Sequence, residues 1–156
     1  MECRERLEQY LRENDVSYKI MTHDEAFTMQ EVAAEVHLPG SQVAKVVMVH
    51  AGGRVVMLVV PSPYQLDFAK VAKLLGDKDV RLAKEKEFKE LFPDCAVGAM
   101  PPFGNLYQVP VYVEQDLTVQ RQIAFRVGTY EEVMRIAYAD FAKLANPTVG
   151  AFAEPS

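Results

Sequence analysis

Apolar and polar positions change period several times along the chain. Leu7, Tyr10 and Leu11 recur at helical spacing among charged residues and predict an amphipathic helix over 2–14, followed by a short strand over 17–21. Thr28-Met29-Gln30-Glu31 has the form of a capping box, in which the threonine oxygen and the glutamate carboxylate each satisfy a backbone N–H. It predicts a second helix ending near Val36, ahead of Pro39-Gly40. The period then falls to two: apolar runs on either side of Gly52-Gly53 read as a hairpin, because a primed turn needs positive φ at both central positions. That turn sets the register, with Ala51 opposite Arg54, Val49 opposite Val56, Val47 opposite Leu58 and Lys45 opposite Val60. Both faces of the hairpin are apolar, which predicts a central place in its sheet.

Beyond Pro61-Ser62-Pro63, Asp67 is expected to cap a helix whose apolar face is Phe68, Val71, Ala72 and Leu75, with Gly76 as its stop. A strand over 80–82 and a short helix over 84–92 come next. Tyr107 to Val113 alternates as a strand that Pro110 interrupts, which suggests an edge or a bulge. Further strands are expected over 122–127 and 135–138, then a last helix capped by Asp140 and a loosely held tail from Asn146. Hairpin-like strands with interspersed helices indicate an α+β fold rather than a regular βαβ array.

At 156 residues the chain suits one domain, taken here as 1–156, and no apolar run approaches the roughly 18 residues of a membrane span. The mixed charges of Met1 to Arg6 open directly into a helical pattern, unlike a leader peptide, so a cytoplasmic protein is expected. Cys3 and Cys95 lie far apart without metal-type or redox-type spacing and are expected to be free thiols. The net charge is −5, which at first argues against nucleic acid as a partner, but it is unevenly distributed. Residues 1–36 hold nine acids and four bases, whereas 70–89 hold seven bases and four acids. The second segment is either a solvated helix face or a phosphate-contacting patch.

Lys45 is the residue most in need of explanation. An ammonium among valines costs several kcal/mol unless an anionic or strongly polar group meets it. The segment Gly98-Ala99-Met100-Pro101-Pro102-Phe103-Gly104 cannot be regular structure. Its glycines let N–H groups turn toward a ligand and its prolines stiffen it, as preorganised oxyanion donors require, although a plain turn is an equally simple reading. Phosphate-binding, dinucleotide-binding, zinc-protease and serine-hydrolase motifs are absent. His23, His37 and His50 have no partners at ligand spacing, so neither a metal nor a cofactor is expected. His23 ends a strand just before the Thr28 cap, where it is either a surface residue or part of a cleft wall.

Taken in order, these pieces resemble the YbaK/prolyl-tRNA-synthetase-associated domain family. The resemblance rests on His23 with Thr28 to Glu31, Val43-Ala44-Lys45-Val46-Val47, Gly98 to Gly104, and Val111-Tyr112-Val113-Glu114. It covers about residues 5 to 145 and implies a mixed, largely antiparallel barrel-like sheet with surrounding helices. It also implies hydrolysis of the ester of mischarged aminoacyl-tRNA, with Lys45 anchoring the tRNA 3′ end and Gly98 with Pro102 supplying the Gly-x-x-x-Pro loop. On this resemblance the loop positions the carbonyl, water attacks without a metal, and a hydroxyl of the terminal ribose assists. Lys45 and Gly98 are then the catalytic candidates. His23, Thr28, Val46, Ala99, Met100, Pro101, Pro102, Phe103 and Gly104 are the substrate-binding ones. Val46 departs from the family, where the position after the lysine is often polar, so the amino acid removed stays open among alanine, cysteine, serine and threonine. The implied partners are aminoacyl-tRNA and a synthetase, with no DNA and no membrane. A catalytically silent tRNA- or synthetase-binding module and a small-molecule binder are the competing classes.

Overall fold

The computed structural model describes residues 1–23 and 28–156. In chain order the elements are α1 (Cys3–Glu13), β1 (Tyr18–Thr22), α2 (Met29–Glu35), β2 (Ala44–Ala51), β3 (Arg54–Pro61), β4 (Tyr64–Leu66), α3 (Phe68–Leu75), β5 (Val80–Leu82), α4 (Glu85–Phe88), β6 (Val111–Glu114), β7 (Gln122–Arg126), β8 (Glu132–Ala137), α5 (Tyr138–Ala145), β9 (Thr148–Gly150) and β10 (Ala153–Pro155). The strands form three sheets, ordered β1-β8-β7, β10-β4 and β5-β2-β3-β6-β9. Antiparallel pairing predominates, with β6 parallel to both β3 and β9, so the architecture is the mixed α+β one expected.

The hairpin has the register that its glycine turn dictates: Ala51 pairs with Arg54, Val47 with Leu58 and Lys45 with Val60. Both of its strands are flanked, β2 by β5 and β3 by β6, which accounts for apolar residues on both faces. On its outer edge β2 bonds β5 through Val49 to Ala51, and just ahead of its start Val43 makes a single parallel bridge to Ala124. That bridge joins the two larger sheets.

Side chains from all layers fill the core. Leu7 and Leu11 of α1 are fully buried against Phe103, Phe125 and Phe141 in the largest cluster, and the Tyr10 hydroxyl donates to the Leu144 carbonyl of α5 at 2.9 Å. Burying a side chain of this size contributes about 1.5–3 kcal/mol. The capping box at Thr28 is formed: the Glu31 N–H donates to Thr28 Oγ1 at 3.1 Å, and Glu31 Oε1 accepts from the Thr28 N–H at 3.2 Å. Asp67 caps α3 by accepting from the N–H groups of Ala69 and Lys70.

Four expectations need correction. The cysteines are not free: Cys3 and Cys95 form a disulfide across a separation of 92 residues. Distance in sequence hid this, because α1 docks on the 94–95 turn, where the Cys3 N–H donates to the Asp94 carbonyl at 3.2 Å. Pro110 lies just outside β6, and its carbonyl accepts the Met57 N–H at 2.9 Å, so β6 is an interior strand between β3 and β9. The helix α5 begins at Tyr138 after an Ala137 that makes no side-chain cap. Asp140 therefore lies inside its first turn, where a carboxylate favours the positive end of the helix dipole. The tail is anchored by Glu114, which is only 1% exposed. Glu114 Oε1 accepts the N–H groups of Phe152 and Ala153 at 2.9 and 3.1 Å, while Oε2 accepts that of Asp116 at 2.8 Å. A carboxylate buried with three N–H donors is satisfied, and it fixes the segment that carries β9 and β10.

A bridge that closes so long a loop restricts the unfolded chain strongly. Cys95→Ser, or reduction with a dithiol, is expected to lower the unfolding free energy by about 2–4 kcal/mol. Denaturant titration with and without reductant measures this, and coincident midpoints would show that the bridge contributes nothing to stability.

Candidate functional site

A cavity of about 320 Å³ opens beside the Val43–Ala124 bridge, where β7 runs along the start of β2. Its walls are Thr28, Met29 and Gln30 from the start of α2, Ala44, Lys45 and Val46 from β2, and Phe125 and Arg126 from the end of β7. Ser62, Gly98 and Met100 line it as well. Three elements distant in sequence thus place chemistry in one recess.

Lys45 is half-buried and makes no ion pair among the described residues. Loss of solvation holds its pKa below the ordinary lysine value. Arg126, at 8% exposure, is also depressed by desolvation, against the opposing influence of Tyr130 and Glu31. Its guanidinium carbon lies 5.5 Å from the centre of the Tyr130 ring. The Tyr130 hydroxyl donates to the Val97 carbonyl, so this ring also braces the glycine loop.

In that loop the Ala99 N–H donates to the Ala96 carbonyl at 3.0 Å, closing a turn with Gly98 at its third position and φ at +84°. A type II turn requires positive φ there, which favours glycine. The N–H groups of Gly98 and Met100 have no acceptor among the described residues, and both residues line the cavity. The rest of the loop turns inward. Ala99, Pro101 and Pro102 are buried, and Phe103 packs 5.5 Å from Phe141 and 5.9 Å from Phe125, ring centre to ring centre. Gly104 is needed for close approach, since a Cβ there would lie 2.7 Å from the Val109 carbonyl oxygen.

Over residues 23–144 the sequence matches the aminoacyl-tRNA editing domain family. The chain belongs to that family. The editing domain is 30% identical over 116 residues to a proline–tRNA ligase of Thiobacillus denitrificans (strain ATCC 25259 / T1). The match takes in 74% of this chain and 20% of the ligase, so the chain spans about a fifth of that relative's length. Among solved structures, a candidate trans-editing enzyme for prolyl tRNA synthetase superposes with a TM-score of 0.83 at 23% identity, covering 97% of each chain. The hypothetical protein APE2540 superposes with a TM-score of 0.84 at 20% identity, covering 96% of this chain and 99% of that one. At these identities the likeness is one of fold.

Of the residues singled out from the sequence, Lys45, Gly98, Thr28, Val46 and Met100 meet at the cavity of the editing domain, while Ala99, Pro101, Pro102, Phe103 and Gly104 lie behind it, outside its lining. His23 is also outside that lining; it is half-buried at the end of β1, and its N–H donates to the Glu131 carbonyl at 2.9 Å. Arg126 was missed, although Ile123-Ala124-Phe125-Arg126-Val127 sets a cation into an apolar strand just as residues 43–49 do. In the basic segment, Arg81 is committed to Glu87 through two bonds of 2.7 and 2.9 Å. Those bonds, with the Lys84 N–H, hold the Glu87 carboxyl down at about 2. Among the described residues no helix is long and apolar enough to cross a membrane.

Proposed function

We propose that the chain acts, as one editing domain over residues 1–156, to hydrolyse the ester of mischarged aminoacyl-tRNA. The substrate would be tRNA-Pro or a related tRNA carrying a small amino acid. The observation that carries this reading is the meeting of Lys45 in one recess with Gly98 and Met100, whose N–H groups have no acceptor among the described residues. The similarity to a proline–tRNA ligase supports the choice of tRNA. Lys45 anchors the 3′ end through an anionic or ribose oxygen, and the loop positions the aminoacyl carbonyl. Water adds to the carbonyl carbon, and the negative charge that develops on its oxygen is met by the loop N–H groups. The bond to the ribose oxygen then breaks, that oxygen takes a proton, and the free amino acid leaves. Met29, Val46, Met100 and Phe125 give the recess apolar walls suited to a small side chain. A synthetase is the natural partner.

Deacylation assays with a panel of mischarged tRNAs test the proposal directly. Hydrolysis of at least one small aminoacyl ester is expected; tRNA binding without hydrolysis of any would leave a silent binding module instead.

Turnover is expected to survive exhaustive chelation. Among the described residues the cluster able to offer three metal ligands is Cys3, Asp94 and Cys95, outside the cavity lining and with its cysteines in a disulfide. Loss of activity in EDTA that zinc restores would contradict this. Binding of tRNA is expected to weaken as salt rises, with exposed Lys84, Lys86 and Lys89 supplying part of the slope. If charge reversal at these three changed neither affinity nor slope, the tRNA body would have to lie on another face.

A further inference from the structure

The turn around Gly98 is pinned at both ends by backbone bonds. The Ala96 N–H donates to the Gly128 carbonyl at 3.0 Å, and the Gly128 N–H donates to the Ala99 carbonyl at 2.7 Å, so one residue between β7 and β8 clamps the outer peptides. The central peptide, which joins the Val97 carbonyl to the Gly98 N–H, takes no part in that clamp. It is also the group that turns over between a type I and a type II turn. Glycine does not choose between the two, because it accepts negative φ as readily as the +84° found here. The orientation of this peptide must therefore be set from outside the turn.

The Tyr130 hydroxyl does so by donating to the Val97 carbonyl. Bonds on either side hold the segment that carries it: Thr129 Oγ1 donates to Glu132 Oε1 at 3.2 Å, and the His23 N–H donates to the Glu131 carbonyl at 2.9 Å. A planar trans peptide points its C=O and N–H in opposite directions, so a bond that holds the Val97 oxygen toward Tyr130 aims the Gly98 N–H away from it. The same bond draws electron density onto the oxygen and makes the N–H a stronger donor. Tyr130 itself is outside the lining of the recess, whereas Gly98 is part of it.

We infer that Tyr130 is a positioning residue for deacylation, whose hydroxyl locks the Val97–Gly98 peptide in the orientation that lets the Gly98 N–H meet the developing oxyanion. The inference rests on the editing reading and adds to it a residue that acts through the donor's peptide rather than on the substrate. Without the lock the peptide turns over, and a carbonyl oxygen faces the charge that the N–H would stabilise.

Tyr130→Phe tests this by removing the hydroxyl while keeping the ring beside Gly98 and Arg126. Single-turnover deacylation is expected to fall about tenfold with tRNA affinity unchanged, less than the outright loss of an oxyanion donor because the peptide still visits the working orientation. In a Gly98→Ala background the same change is expected to cost little more, since both substitutions act on one peptide. A full-rate Tyr130→Phe, a loss that appears in affinity instead, or losses that multiply in the double variant would each overturn the inference. Backbone NMR of the free protein needs no substrate. In Tyr130→Phe the shifts of the Val97 carbonyl carbon and the Gly98 amide nitrogen are expected to move while those of β2 stay in place. Unmoved shifts would overturn the lock, whereas moved shifts beside a wild-type protein that hydrolyses no aminoacyl ester would sink the editing reading alone.

Discussion

Replacing Lys45 with alanine is expected to reduce deacylation by about 10³-fold, to the background of spontaneous ester hydrolysis, while the melting temperature stays near the wild-type value or rises. The two halves of this expectation have separate causes. Lys45 is a half-buried ammonium opposite Val60, and the depression of its pKa by desolvation shows that the folded protein disfavours the charge it carries. Removing the group relieves that penalty, which offsets the small cavity left behind. Function has no such compensation, because the ammonium is proposed to hold the substrate end in the recess that contains the Gly98 turn. Single-turnover hydrolysis alongside a thermal melt reads both halves. A folded Lys45→Ala protein with wild-type turnover would remove Lys45 from the mechanism, and an unfolded one would show the lysine to be structural.

The hairpin was legible in the sequence because its determinants are local. Gly52-Gly53 fixes the turn, the turn fixes the register, and the register puts Lys45 opposite Val60. The caps at Thr28 and Asp67 were legible for the same reason, since each needs only residues two or three positions away. The two largest errors were non-local. The Cys3–Cys95 bridge depends on where α1 docks, and the tail depends on Glu114, whose carboxylate lies 38 and 39 positions from the N–H groups of Phe152 and Ala153 that it satisfies. The segment from Gly98 to Gly104 had a single signature but serves two tasks. Gly98 and Met100 face the cavity, and Phe103 with Gly104 closes the core behind them. Arg126 was within reach of the reasoning that found Lys45, but its place at the cavity depends on a bridge between distant strands that no local pattern encodes.

Gly98→Ala is expected to lower single-turnover deacylation by about 10² while leaving tRNA affinity nearly unchanged. Space is not the reason, because a Cβ on Gly98 would meet only the Tyr130 ring, at 3.8 Å. Backbone conformation is: at φ +84° an alanine is strained, and the turn closed between Ala96 and Ala99 relaxes by moving its third residue toward negative φ. That motion swings the N–H groups of Gly98 and Met100, the proposed donors to the developing oxyanion, off their aim. Contacts with the tRNA body and the seat at Lys45 lie on other elements and persist. Stability is expected to fall by only about 1 kcal/mol, the usual scale for a side chain forced into this conformation. Measuring turnover and binding separately decides the matter: an equal loss of both would make the loop a structural element, with the chemistry carried by other residues.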